Sequence, residues 1–148
     1  MKDYYPDNFS REEMIRSETA LRHGVTNEPH SQEHEDNLLS VAIFLQSLRD
    51  ALSEHLGREV PIIVSSGYRS EALNTLVGGS KRSAHSHGLA ADFRALGLST
   101  DFVFNFIRSH YEFEGMLDQV IDEFGSWVHV GISQPKTGKK RWQFLLAR

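Results

Sequence analysis

Cysteine is absent from all 148 residues. That excludes disulfides and thiolate metal sites, so a transition metal bound by this chain must use histidine and carboxylate ligands. Long apolar runs are absent as well. No stretch approaches the roughly 20 residues needed to span a bilayer, and a membrane partner is not expected. The opening "MKDYYPDNFSREEM" has no apolar core of the signal-peptide kind. The expectation is synthesis in the cytoplasm, so that any action outside requires release by something else. Long basic blocks are lacking too. "KTGKKR" near the end is short and the formal net charge is −4, so it reads as a cationic surface loop and nucleic acid is not an expected partner. There is no internal repeat and no low-complexity tract. With 39% hydrophobic and 24% charged residues, the composition is that of a globular chain, and the length suits one domain spanning 1–148. A monomer is expected.

Capping and periodicity outline the elements. Ser10 and Glu13 have capping-box spacing and open a short helix. "LRHGVTNEPHSQ" breaks it with Gly24, Asn27 and Pro29. Leu38, Ala42, Leu45, Leu48, Leu52 and Leu56 recur at steps of three and four, which predicts a helix over 33–56 stopped by Gly57. "EVPIIVSS" reads as a buried strand. A short helix over "SEALNTLV" follows, capped by Ser70 and ended by Gly78 and Gly79. "HGLAADFRAL" reads as a second strand. "STDFVFNFIRSHYEF" reads as a helix opened by Ser99 or Thr100, with Phe102, Phe106 and Ile107 inward. "LDQVIDEFGSWVHVGISQ" gives two strands joined at Phe124-Gly125-Ser126, and "RWQFLLA" a last one. Helices come first and strands dominate the end, which favours an α+β fold.

The chemistry concentrates in "SAHSHGLAADF", residues 83–93. His85 and Asp92 stand seven apart, with Gly88 to permit a turn and Ala90 and Ala91 to permit close backbone approach. A carboxylate on a strand and an imidazole on the loop before it can converge on one ion. The alternative is a polar loop running into a strand. A third ligand is available in "SWVHVGIS". Alternation puts Trp127, His129 and Gly131 on one face, a suitable cleft wall, and Val128, Val130 and Ile132 on the other. A strand histidine is also compatible with a purely structural role. His87 is an alternative that would replace His85 or Asp92. His23, His30, His34, His55 and His110 lack partners at ligand spacing and read as solvated. Arg69 beside such a site can hold a carboxylate or a developing oxyanion, or else form a surface salt bridge. Tyr68 lines the cleft or packs.

"SAHSHGLAAD" also matches Ser-x-His-x-x-Gly-x-Ala-x-Asp, and in this it resembles the zinc D-alanyl-D-alanine carboxypeptidase family, which shares its fold with the hedgehog signalling domain. "SSGYRSEALNTLVGGS" and "SWVHVGI" are similar to two further segments of that family. "FSREEMIRSETALRHGVTNEP" is similar to the N-terminal part of its small bacterial and phage members. The resemblance covers roughly residues 8 to 133. It implies helices packed on a central, mainly antiparallel sheet that carries a zinc cleft. It implies Zn2+ held by His85, Asp92 and His129, with Arg69 and Ser83 on the substrate and Tyr68 and Trp127 beside it. Many members carry an acid three positions before the last histidine, and here that position is Ser126. The nearest acids are Asp122 and Glu123. Small members similar to this chain carry a glutamate at this place, so the resemblance implies Glu123 as the general base, ahead of Asp122. The alternative is that one or both are solvated acids at a hairpin end. The expected substrate is the peptide stem of bacterial peptidoglycan, cut at D-Ala-D-Ala or at L-Ala-D-Glu, in a phage or prophage lysis enzyme that reaches the wall through a holin. A catalytically inactive, zinc-containing wall-binding module is the alternative.

Overall fold

A computed structural model describes residues 4–81 and 83–148. Two short helices, α1 (Arg11–Ile15) and α2 (Glu18–Arg22), precede the long α3 (Gln32–Leu56). Then follow β1 (Ile62–Ser66), α4 (Glu71–Leu76), a 3-10 turn over Ala84–His87, and β2 (Ala90–Ala95). α5 (Thr100–Arg108), a second 3-10 turn over Tyr111–Met116, β3 (Gln119–Glu123), β4 (Trp127–Gly131) and β5 (Gln143–Ala147) complete the chain. The five strands form one sheet in the order β1-β2-β4-β3-β5. Three of its pairings are antiparallel, and only β3 with β5 is parallel. The α+β expectation and the mainly antiparallel sheet hold.

Serine hydroxyls start each of the five helices. Ser10, Ser17, Ser31, Ser70 and Ser99 each accept a hydrogen bond from the backbone N–H three residues on, satisfying a donor that the helix itself cannot. Gly57 closes α3 at φ 66°, a left-handed turn that glycine adopts without a Cβ penalty. The apolar stripe of α3 buries Leu38, Val41, Ala42, Phe44, Leu45, Leu48 and Leu52. It packs with α5 against the sheet face formed by Ala91, Phe93 and Ala95 of β2, Val120 of β3, and Val128 and Val130 of β4. Burial of such side chains contributes about 1.5–3 kcal/mol each. The opposite face is thereby left free for polar groups.

Several details depart from the sequence reading. The strand read as buried is β1 at the sheet edge, where Ile63 is 55% exposed. The N-terminal helix is two helices, because the Arg16 backbone turns extended and Ser17 caps a new start. α5 ends at Arg108, and "HYEF" belongs to the separate 3-10 turn. Phe102 is 37% exposed while Val103, Phe104, Phe106 and Ile107 are buried; it stacks on Phe106 at 6.2 Å between ring centres, at the rim of the core. His34 and His110 are half-buried rather than solvated: His34 packs between Tyr68 and His87, and His110 stacks on Phe106 with ring centres 4.0 Å apart.

Candidate metal centre

Strand register builds the centre. Asp92 on β2 lies directly opposite His129 on β4, and His129 in turn opposite Ile121 on β3. Directly opposed residues share a face, so Asp92 and His129 project together on the side away from the core. His129 Nδ1 lies 2.8 Å from Asp92 Oδ1. His85 reaches the same oxygen from the 3-10 turn, with Nε2 at 3.2 Å. The two imidazole rings are 5.1 Å apart. One ligand atom from each of the three residues lies within 4.8 Å of the others.

The turn that delivers His85 is specified locally. The Ser83 hydroxyl accepts from the His85 backbone N–H, and Gly88 ends the turn at φ 74°. A Cβ on Gly88 would lie 2.6 Å from the His34 carbonyl oxygen, so both conformation and close approach require glycine. The His85 ring is itself oriented. Its Nδ1 lies 2.8 Å from the Gly67 carbonyl oxygen, which can only accept. Nδ1 therefore carries the proton, and the Nε2 lone pair faces Asp92 and His129, as a metal-ligating imidazole requires. Gly67 is constrained too, since a Cβ there would run into the Met14 carbonyl.

Asp92 is an anion in this setting. Burial raises its pKa, but the neighbouring His129 and His85 hold it below the usual carboxylate range. Two nitrogens and one carboxylate oxygen, with no sulfur, form a donor set that suits zinc. The residues present thus fit a zinc ion, and the family to which they point is decided by sequence comparison.

A profile of the family described as Peptidase M15 matches residues 7–131, most of the chain. The chain belongs to that family. No curated protein sequence matches it. M15 peptidases are zinc-dependent, which agrees with the donor set. The match ends with β4, so the loop after Gly131 and strand β5 lie beyond it.

A cleft of about 720 Å³ surrounds the three M15 ligand candidates. Arg69, Ser83, Glu123 and Trp127 line it, as does His87, which stands outside the converging set. Arg69 donates from Nη2 to the Ser83 hydroxyl at 3.2 Å, and its backbone N–H donates to the His85 carbonyl. Burial lowers the Arg69 pKa, against the charges of Asp92 and Glu123, but an arginine remains cationic. Arg69 Nε and Trp127 Nε1 are buried donors without a partner among the described residues.

The two candidate bases separate by strand parity. Glu123 pairs with Trp127 and shares the face of His129. Asp122 pairs with Val128 on the other face, where it is 9% exposed and accepts from the Gly125 N–H of the hairpin turn. Ser126 is exposed in that turn, donating its N–H to the Glu123 carbonyl. Tyr68 does not line the cleft. It is 3% exposed, and its hydroxyl faces His34 Nδ1 at 3.4 Å, so of the two sequence readings the packed one describes it. Sequence reading missed the Gly67 carbonyl, because a backbone acceptor leaves no residue signature. It also missed the segment 133–137 and Arg141, which form part of the cleft wall; "KTGKKR" signalled only positive charge.

Proposed function

We propose that this M15 member is a zinc peptidase that hydrolyses the peptide stems of bacterial peptidoglycan, with His85, Asp92 and His129 as the metal ligands. The observation that carries this is the convergence of those three side chains in one cleft, with Glu123 on the same sheet face and Arg69 alongside. Zinc, when bound, supplies a Lewis acid that acidifies a water and polarises a carbonyl.

The chain's own groups do the rest. The Glu123 carboxylate takes the proton of the attacking water and returns it to the leaving amine. Arg69, which lines the cleft and is held by Ser83, donates from its guanidinium to the oxyanion of the tetrahedral intermediate. The Gly67 carbonyl keeps His85 in the ligating tautomer. Trp127 forms part of the cleft wall. The bond cut is D-Ala-D-Ala or L-Ala-D-Glu. The biological role proposed is lysis, on a wall reached after release from the cytoplasm.

The test is digestion of purified sacculi by the zinc-loaded protein, with released fragments identified by mass spectrometry. New C-terminal stem ends at one of those two bonds are expected. Intact sacculi from a zinc-replete protein would instead favour the inactive wall-binding reading, which the serine at position 126 motivates.

A further inference from the structure

The M15 match stops at Gly131, yet the cleft does not. Its remaining wall comes from the loop between β4 and β5, which supplies Ser133 to Thr137 and Arg141. This loop is closed on itself. The Gln134 N–H donates to the Lys139 carbonyl and the Gly138 N–H to the Gln134 carbonyl, both at 2.9 Å. Lys140 Nζ donates to the Ile132 carbonyl at 2.8 Å. Arg141 clamps Asp118 at the start of β3 through two bonds of 2.7 and 2.8 Å. Pro135 fixes one φ angle at its centre. A loop tied at both ends and across its waist presents its side chains with little ordering left to lose.

The charge of this wall is opposite to that of the chain. Among the described residues lining the cleft, Arg69, Lys81, Lys136 and Arg141 are cationic, and Asp92, Asp118 and Glu123 are anionic. Asp118 is neutralised by Arg141 and Asp92 is engaged by the two histidines. That leaves Asp92, within the ligand set, and Glu123 against Arg69, Lys81 and Lys136. Lys81 and Lys136 form no hydrogen bond or ion pair with any described residue. A chain of net charge −4 thus presents unpaired ammonium groups from two separate segments to one cleft, a field that attracts and orients anions.

We propose that the loop 132–141 is a specificity element of this peptidase, in which Lys136, aided by Lys81, binds a free carboxylate of the substrate peptide away from the scissile bond. The inference rests on the peptidase reading and deepens it. The preferred substrates are acidic peptides, and amidation of the recognised carboxyl weakens them. Lys136 acts on substrate positioning, with no part in proton transfer.

Three synthetic stem pentapeptides test this: one with all carboxyls free, one amidated at the glutamyl α-carboxyl and one amidated at the C-terminus. Steady-state hydrolysis is measured for zinc-loaded wild type, Lys136→Ala, Lys136→Glu and, as a control on the same loop outside the cleft, Lys139→Ala. Binding of the same peptides to zinc-loaded Glu123→Gln protein, with and without Lys136→Ala, is measured by calorimetry. One amide, and one only, should show a KM raised about fivefold over the free acid in wild type, the scale of a partly exposed charge pair. Lys136→Ala should abolish that difference with kcat and zinc content unchanged, Lys136→Glu should reverse it, and Lys139→Ala should leave it. Equal KM and equal affinity for the acid and both amides would overturn the proposal, even if hydrolysis is brisk. Discrimination in binding without hydrolysis of any peptide or of sacculi would uphold the subsite and overturn the peptidase reading. Neither binding nor hydrolysis would overturn both.

Discussion

Two neighbouring acids on β3 show how much one residue's parity decides. Glu123 faces the cleft and Asp122 faces the core side of the sheet, where its carboxylate caps the hairpin. Glu123→Gln is therefore expected to lower kcat by about 10²–10⁴-fold, the range of a general base, while zinc content stays the same. Asp122→Asn should retain near-wild-type kcat and show its effect in thermal unfolding instead. Full activity of Glu123→Gln in a peptide hydrolysis assay would remove it from the mechanism. The turn between β3 and β4 has its own cost. Phe124 sits at φ 59° and is 62% exposed, a left-handed conformation that costs a bulky residue about 1–2 kcal/mol. Asparagine tolerates that conformation. Phe124→Asn should stabilise the protein by about 1 kcal/mol in urea unfolding; a loss of stability would mean that Phe124 packing outweighs the strain.

Among the elements, the long helix α3 was legible because its apolar residues repeat with helical period over about five turns. The strand bearing Asp92 and the hairpin bearing His129 were legible from their β-type pattern, and the caps Ser10, Ser70 and Ser99 from their position ahead of apolar runs; Ser17 and Ser31 were not read as caps. The break between α1 and α2 was not. "REEMIRSETALR" is continuous in helical propensity, and the break comes from tertiary contacts: the Met14 carbonyl accepts from the Tyr68 N–H, and Asn27 reaches the Ile15 carbonyl. The pairing of Asp92 with His129 was also hidden, since register between distant strands leaves no local trace. The loop 132–141 was seen only as charge, although its anchor is specific. Asp118 is 4% exposed. Burial would raise its pKa, but the side chain and backbone N–H of Arg141 bring it below the ordinary value. Its stabilising effect is thus present above the ordinary carboxylate range, near pH 4, and is lost as pH falls through the lower folded value. Asp118→Asn should cost about 1–3 kcal/mol at pH 7, and the gap from wild type should narrow progressively in urea titrations as the pH falls below about 4. A gap that persists unchanged in acid would show that charge is not what anchors the loop.

At the scale of the whole molecule, the fold divides labour between the faces of one sheet. α3 and α5 bury the apolar face, while Asp92, His129 and Glu123 project from the other, met by His85 from its glycine-ended turn. Among the described residues no helix is long and apolar enough to cross a membrane. The central claim is that the three convergent side chains hold one zinc ion, and metal content measures it most directly. Elemental mass spectrometry on protein purified without a histidine tag, for wild type and His129→Ala, is expected to find close to one zinc per wild-type chain and essentially none in the variant. No zinc in wild type, even after the metal is added back and excess removed, would contradict the account.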